Sequence, residues 1–153
     1  MQKTLIILKP SAIQRGLVGE VISRFEKKGL QIIGTKMIWL TDEILNVHYS
    51  HLKEKPFFKR IKDAMRTSPV IVMILQGVDA VQVVRTMTGS TNGREAVPGT
   101  IRGDHSLSVQ ENIVHASDSE ETAKVEIERF FTEKEIFEYK HPAHSYIYAN
   151  NEA

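Results

Sequence analysis

Between Pro69 and Gln76 the chain carries six consecutive apolar residues, Val70 to Leu75, inside the segment PVIVMILQG (69–77). A run of that length, bounded by proline and glycine, reads as a buried strand. A strand needs neighbours for its backbone N–H and C=O groups, so the chain must build a sheet around it. Three other segments offer partners. TLIILK (4–9) reads as a strand ending at Pro10, QIIGTKMIWL (31–40) as one with Ile33, Met37 and Trp39 on one face, and ENIVHAS (111–117) as a strand edge.

The intervening segments have helical spacing. GLVGEVISRFEKKG (16–29) sets Leu17, Val18, Val21, Ile22 and Phe25 on one face, with Gly29 as its stop. Thr41 reads as an N-cap, with Asp42 and Glu43 in the first turn, for a helix to about Leu52. A second short helix is expected to open at Pro56, and Asp79 to cap AVQVVRTM (80–87), which ends near Gly89. Ser117 or Asp118 reads as the cap of SEETAKVEIERFF (119–131), and Ser117-x-x-Glu120 fits a capping box. A short helix near 132–138 and then SYIY (145–148) make the tail. GSTNGREAVPGTIRGD (89–104), with four glycines, reads as a long ordered loop of the kind that carries function. The order β-α-β-α-β-α-β, with single helices joining the first strand to the second and the third to the fourth, predicts an α+β sandwich with helices on one face of the sheet. A doubly wound parallel fold would want a phosphate-binding glycine turn after the first strand, where KPSAIQRG stands instead.

Composition narrows the function. The 153 residues, 41% hydrophobic and 25% charged, predict one domain over 1–153 with a real core. With no cysteine there is no disulfide scaffold, thiol nucleophile or thiolate metal site. A net charge of +1 gives no global field for nucleic acid, and the strand segments are aliphatic, unlike a ferredoxin-like nucleic-acid module. No apolar run approaches a membrane span, and MQKTLIILKPS is too short in apolar length for a signal-peptide core, so a cytoplasmic location is expected.

Chemistry concentrates in NIVHASDS (112–119). His115 stands at a strand end, just before a helix start whose free amides suit an anion. A neutral imidazole there can attack phosphorus, and a carboxylate on one ring nitrogen would leave the other free. Spacing does not choose among Glu120, Glu121 and Glu126 for that carboxylate. Lys9, Arg85 and Arg102 form a basic set suited to phosphate oxygens, with Arg102 foremost because it lies in PGTIRGD. His48 and His51, three apart on a helix, are compatible with a metal pair but lack a third ligand at a useful spacing.

NIVHASDS, taken with PGTIRGD, STN (90–92) and KPSAIQRGLVGE, resembles the nucleoside diphosphate kinase family, from about Thr4 to Tyr148. The resemblance implies a ferredoxin-like α+β sandwich with an antiparallel four-stranded sheet covered by helices. It implies transfer of the terminal phosphoryl group from a nucleoside triphosphate to a nucleoside diphosphate, by a ping-pong route through phosphorylated His115. Glu126 would orient that ring, Ser117 would contact the glutamate, and Lys9 would assist. Lys9, Tyr49, Arg85, Thr91, Arg102 and Asn112 match positions that hold phosphates or sugar hydroxyls. Phe57 and Val109 match the pair that sandwiches the base, with Ile61 beside them. Asp118 matches an aspartate near Mg2+, which the phosphates and water mainly hold. Broad base and sugar specificity and a homo-oligomer, a hexamer rather than a tetramer, are implied as well. Ser11, His105 and Gly93-Arg94-Glu95 depart from the family's usual residues, and the last change is expected to leave its loop less rigid.

Overall fold

The computed structural model describes residues 1–153. Its centre is a four-stranded antiparallel sheet of order β2-β3-β1-β4, made by β1 (Gln2–Leu8), β2 (Gln31–Ile38), β3 (Val70–Gly77) and β4 (Val114–Ala116). β3 pairs with both β1 and β2, and β1 with β4. Each of β1→β2 and β3→β4 therefore skips over a neighbour of opposite direction, which is the split β-α-β arrangement.

Six apolar residues in a row need cover on both sides, and β3 has it. Met73 and Leu75 enter one core with Ile6 and Leu8, while Val70, Val72 and Ile74 enter a second core with Leu5 and Ile7. Helices α2 (Val18–Lys28) and α5 (Ala80–Thr88) cover the first face through Val21, Phe25, Ala80 and Val84. Helices α3 (Asp42–His48), α4 (Phe58–Met65) and α7 (Glu120–Phe130) cover the second through Leu45, Met65, Ile127 and Phe130. Helices on one face alone, as the element order suggested, would have left half of β3 in water. Phe25 is fully buried, and truncating a phenylalanine in such a place costs about 3–5 kcal/mol.

The expected face of β2 is overturned by a bulge. Register shifts between Ile32 and Gly34, so Ile33 enters the second core while Met37 and Trp39 are 58% and 61% exposed. Beyond the bulge it is Ile38 and Leu40 that turn inward, because one extra residue reverses the alternation. The bulge carbonyl is not wasted: Ile33 O accepts from Phe137 N at 2.8 Å, and Ile32 O accepts from the Tyr139 hydroxyl at 2.7 Å, so the tail lies along this edge strand.

Several boundaries differ from the sequence reading. A short helix, α1 (Pro10–Gln14), precedes α2, so two helices and not one join β1 to β2. Helix α6 (Ile101–His105) interrupts the expected loop, capped by the Thr100 hydroxyl, which accepts from Gly103 N at 3.0 Å. Asp79 has φ 50 and makes no side-chain cap, and α4 opens at Phe58, two residues beyond Pro56. The cap of α7 is Ser119, whose hydroxyl accepts from Thr122 N at 3.0 Å, so neither Ser117 nor Asp118 caps it and the Ser117–Glu120 box does not form. In the tail, Glu133–Glu135 is a single 3-10 turn, and α8 spans His144–Ile147. Gly29 ends α2 in the left-handed region as expected, with φ 99.

The loop at Gly93 is tied, not loose. Gly93 N donates to Ser108 O at 3.1 Å, a bond that proline could not make, and a Cβ there would overlap Ser106. Arg94 Nη1 donates to Leu107 O at 3.0 Å. His105 sits against Arg24, its Nε2 3.3 Å from Nη2, which packs α6 onto α2. No helix is long and apolar enough to cross a membrane.

Candidate active site

β4 is only three residues long, and its alternation does the positioning. Val114 and Ala116 enter the first core, so His115, opposite Ile7 on β1, must face the other way. There it meets Glu126 of α7, with Nε2 2.7 Å from Oε2. The other carboxylate oxygen accepts from the Ser117 hydroxyl at 2.6 Å. Of the three glutamates that spacing left open, Glu126 is therefore the one that reaches the ring. It is buried, which pushes its carboxyl up, but the hydrogen bonds and charge of His115 and the bond from Ser117 outweigh this and the net shift is downward. An ionised Glu126 accepts from an Nε2–H, which leaves the His115 Nδ1 as the lone-pair nitrogen.

The residue two before His115 is strained. Ile113 has φ 75 and is fully buried, a conformation that costs a β-branched residue about 1–3 kcal/mol. Its neighbours hold it: Ile113 O accepts from Lys9 N at 2.9 Å, and Ile113 N donates to the Ser11 hydroxyl at 3.3 Å. Ser11 thus has a use of its own where the family commonly has aspartate.

His48 lies beneath this pair. Its ring meets that of His115 edge-on at 4.7 Å, and its Nδ1 is 2.9 Å from Arg129 Nη1 and 3.3 Å from Glu126 Oε2. Burial, with the neighbouring His115, lowers its pKa to about 3, so it is neutral. Because Arg129 can only donate, His48 Nδ1 is an acceptor, and its approach to Glu126 is not an ion pair. The sequence singles out His48 only as half of a possible metal pair with His51, and neither its place beside His115 nor Arg129 is read from it. The available signal was the spacing Leu45, His48, Leu52, which places His48 on the buried face of α3 and the turn after it.

In front of His115 opens a charged compartment of about 720 Å3. Lys9, Asn112 and Thr91 line it and are bonded to one another: Lys9 Nζ donates to Asn112 Oδ1 at 2.6 Å, and Asn112 Nδ2 donates to Thr91 O at 2.9 Å. Burial, with Arg102 nearby, lowers the Lys9 pKa to about 8, against an opposing pull from Glu111. Tyr49 lines the same compartment, and burial pushes its hydroxyl up to about 12. Arg85 of α5 projects into the compartment exposed and without an ion pair. Arg102 differs from it. Its Nη1, Nη2 and Nε donate to Gly89 O at 2.7 Å, Val114 O at 2.7 Å and Asn112 O at 3.2 Å. Burial, with Arg85 nearby, lowers its pKa to about 10. Three of its five N–H groups are thus spent fixing the loop to β4, and the others are left for a ligand.

Lys9, Tyr49, Thr91 and Asn112 also border a second compartment, of about 370 Å3, that is largely apolar. Phe57 and Ile61 form one wall and Val109 the other. The volume lies in the range of small-molecule sites. Every residue that the resemblance implies for catalysis or nucleotide binding thus borders one of the two joined compartments, apart from Ser117, which lies behind Glu126.

Two arrangements bear on metal. His48, His115 and Glu126 bring three ligand atoms within 4.8 Å, but two nitrogens and one oxygen, already bonded to one another and to Arg129, do not suit a hard ion. Asp118 lies exposed beside His115 in the charged compartment, with Glu121 nearby, and these oxygens suit Mg2+. His51 is exposed and stands apart from the cluster.

The family model described as nucleoside diphosphate kinase matches residues 2–136. The nucleoside diphosphate kinase of Parabacteroides distasonis is 66% identical over 152 residues, covering 99% of each chain. That of Pyrococcus horikoshii is 53% identical over 145 residues, covering 93% of this chain and 92% of the other. Among solved structures, a halophilic nucleoside diphosphate kinase from Halobacterium salinarum in complex with CDP superposes with a TM-score of 0.94 at 35% identity, covering 96% of this chain and 98% of the other. A nucleoside diphosphate kinase family protein from Babesia bovis gives 0.93 at 40% identity, covering 97% and 100%. With this sheet order, this cleft and these relatives, the chain belongs to the nucleoside diphosphate kinase family and is an enzyme of that kind, a nucleotide phosphotransferase.

Proposed function

We propose that the enzyme works by a ping-pong route in which His115 Nδ1 carries the phosphoryl group. The observation that supports this best is the 2.7 Å bond between His115 Nε2 and Glu126. Nδ1 attacks the terminal phosphorus of a nucleoside triphosphate, and the bond to the bridging oxygen breaks. The nucleoside diphosphate leaves with that oxygen. The ring now carries phosphate on Nδ1 and a proton on Nε2, and Glu126 balances the imidazolium charge. A terminal oxygen of a second diphosphate then attacks the phosphorus, and the ring returns to its starting state.

Lys9, Tyr49, Arg85, Thr91, Arg102 and Asn112 hold the phosphates and sugar hydroxyls in this reading. Their charge and N–H groups stabilise the equatorial oxygens during transfer. Phe57, Ile61 and Val109 hold the base by stacking and apolar contact, which accepts any nucleobase and either sugar. Mg2+ is the cofactor of this reading, held by phosphates and water with Asp118 beside it, and when bound it draws charge off the phosphate oxygens. The active form is a homo-oligomer, a hexamer before a tetramer, and a cytoplasmic setting suits the substrates.

Incubation with γ-labelled ATP and Mg2+, without acceptor, tests the route. An acid-labile, base-stable label that discharges onto added GDP is expected, and His115→Ala is expected to take up none. Label in that variant, or transfer that needs both nucleotides present together, would reject it.

A further inference from the structure

Helix α4 turns one face towards the apolar compartment. Phe57, Arg60, Ile61 and Ala64 follow the spacing i, i+3, i+4 and i+7, and all four line it. Val109 and Gln110 lie on the other wall. Arg60 Nε donates to Gln110 Oε1 at 3.1 Å, so the two walls are joined by a side-chain bond. Arg60 is exposed and Gln110 half-buried, which puts the bond at the solvent edge of the compartment.

Gln110 is fixed from its own side. Its backbone N–H donates to the Ser108 hydroxyl at 3.2 Å, and its amide Nε2 donates to Glu111 Oε1 at 3.2 Å. With the amide nitrogen used there, the amide oxygen faces Arg60. The bond takes only Nε of the guanidinium, and neither Nη has another partner in the chain. Arg60 therefore presents free donors, and no acceptor, at the mouth of the compartment.

We propose that Arg60, oriented by Gln110, is a specificity-determining residue that reads the outer edge of the base and favours keto over amino bases. The proposal rests on the reading that the base lies between Phe57 and Val109. Guanine offers O6 and uracil or thymine offers O4 as acceptors, whereas adenine and cytosine place an amino group at the equivalent position; N7 is an acceptor common to both purines and does not discriminate. A guanidinium can donate to the first set and meets only another donor's hydrogens at the amino group of the second. Because the bond lies in water, the preference is modest, about threefold to tenfold in kcat/KM.

The test measures kcat/KM for GDP, ADP, UDP and CDP as acceptors from the phosphorylated enzyme. Comparing GDP with ADP, and UDP with CDP, cancels differences in stacking area. The native enzyme is expected to favour the keto partner in both pairs. Arg60→Ala should bring both ratios close to one, with the loss on GDP and UDP and carried by KM, and Gln110→Ala should give an intermediate result. Ratios that stay unchanged in Arg60→Ala, or an equal loss for all four acceptors, would overturn the proposal. Phe57→Ala serves as the control on the underlying reading: a KM raised for all four acceptors supports the base site, and an unchanged KM would overturn that site and this proposal with it.

Discussion

The two ends of the cleft are built on opposite principles. Around His115 each polar group has a partner that also has a partner: Ser117 on Glu126, Glu126 on His115, and Arg129 on His48. The apolar end has one wall-to-wall bond, and its main surfaces stand open, Phe57 at 37% and Val109 at 51% exposure. Phosphoryl transfer tolerates little misplacement of the reacting atoms, whereas a base held by stacking tolerates different ring sizes. In the proposed reading, rigidity lies where the chemistry is invariant and openness where the ligand varies.

This contrast can be broken most sharply at Glu126. Glu126→Ala removes the group that fixes the His115 tautomer, and kcat is expected to fall on the order of 10- to 100-fold. Glu126→Gln, which keeps an acceptor oxygen but not the charge, should recover part of the loss in single-turnover phosphorylation. An unchanged rate in Glu126→Ala would mean that the network does not act on the ring. At the open end, Phe57→Ala removes a stacking face worth about 1 kcal/mol or more, so KM should rise roughly fivefold to tenfold for every nucleotide while kcat moves less. A drop in kcat larger than the rise in KM would erase the distinction between the ends.

The smallest expected effect sharpens the comparison at the junction. Lys9 has its pKa lowered to about 8 by burial, with Arg102 adding to the fall and Glu111 opposing it. As pH rises through about 8 the ammonium is lost, so the KM for diphosphates should climb a few-fold, and Lys9→Arg should flatten the profile. Stability moves the other way. Unfolded lysine keeps its proton to about pH 10.4, so between about 8 and 10 the unfolded chain binds more protons and the Lys9 contribution grows with pH. A denaturant midpoint measured beside KM over that window checks both signs.

Much of this was legible in the sequence. The four strands, Thr41 as a cap and the stop at Gly29 follow from local pattern, and the motifs around His115, Arg102 and Lys9 mark residues that converge in one cleft. What local pattern missed has non-local causes. The β2 bulge depends on pairing with β3 and on a tail more than a hundred residues later, so Met37 and Trp39 could not be placed by alternation. Ser117 looks like a cap by spacing, yet Glu126 takes its hydroxyl through a contact between a strand end and the middle of α7. The run Val70–Leu75 itself held a clue to two covered faces that the element order obscured.

Arg102 ties Gly89 at the start of the glycine-rich loop to Asn112 and Val114 beside His115. The loop and the His115 strand are therefore hinged on one side chain and belong to the same unit of local opening. When that unit opens, Arg102 and the seat of His115 are lost together. A transiently loosened molecule is thus switched off whole, and does not linger as a half-assembled site that could take up phosphate and surrender it to water.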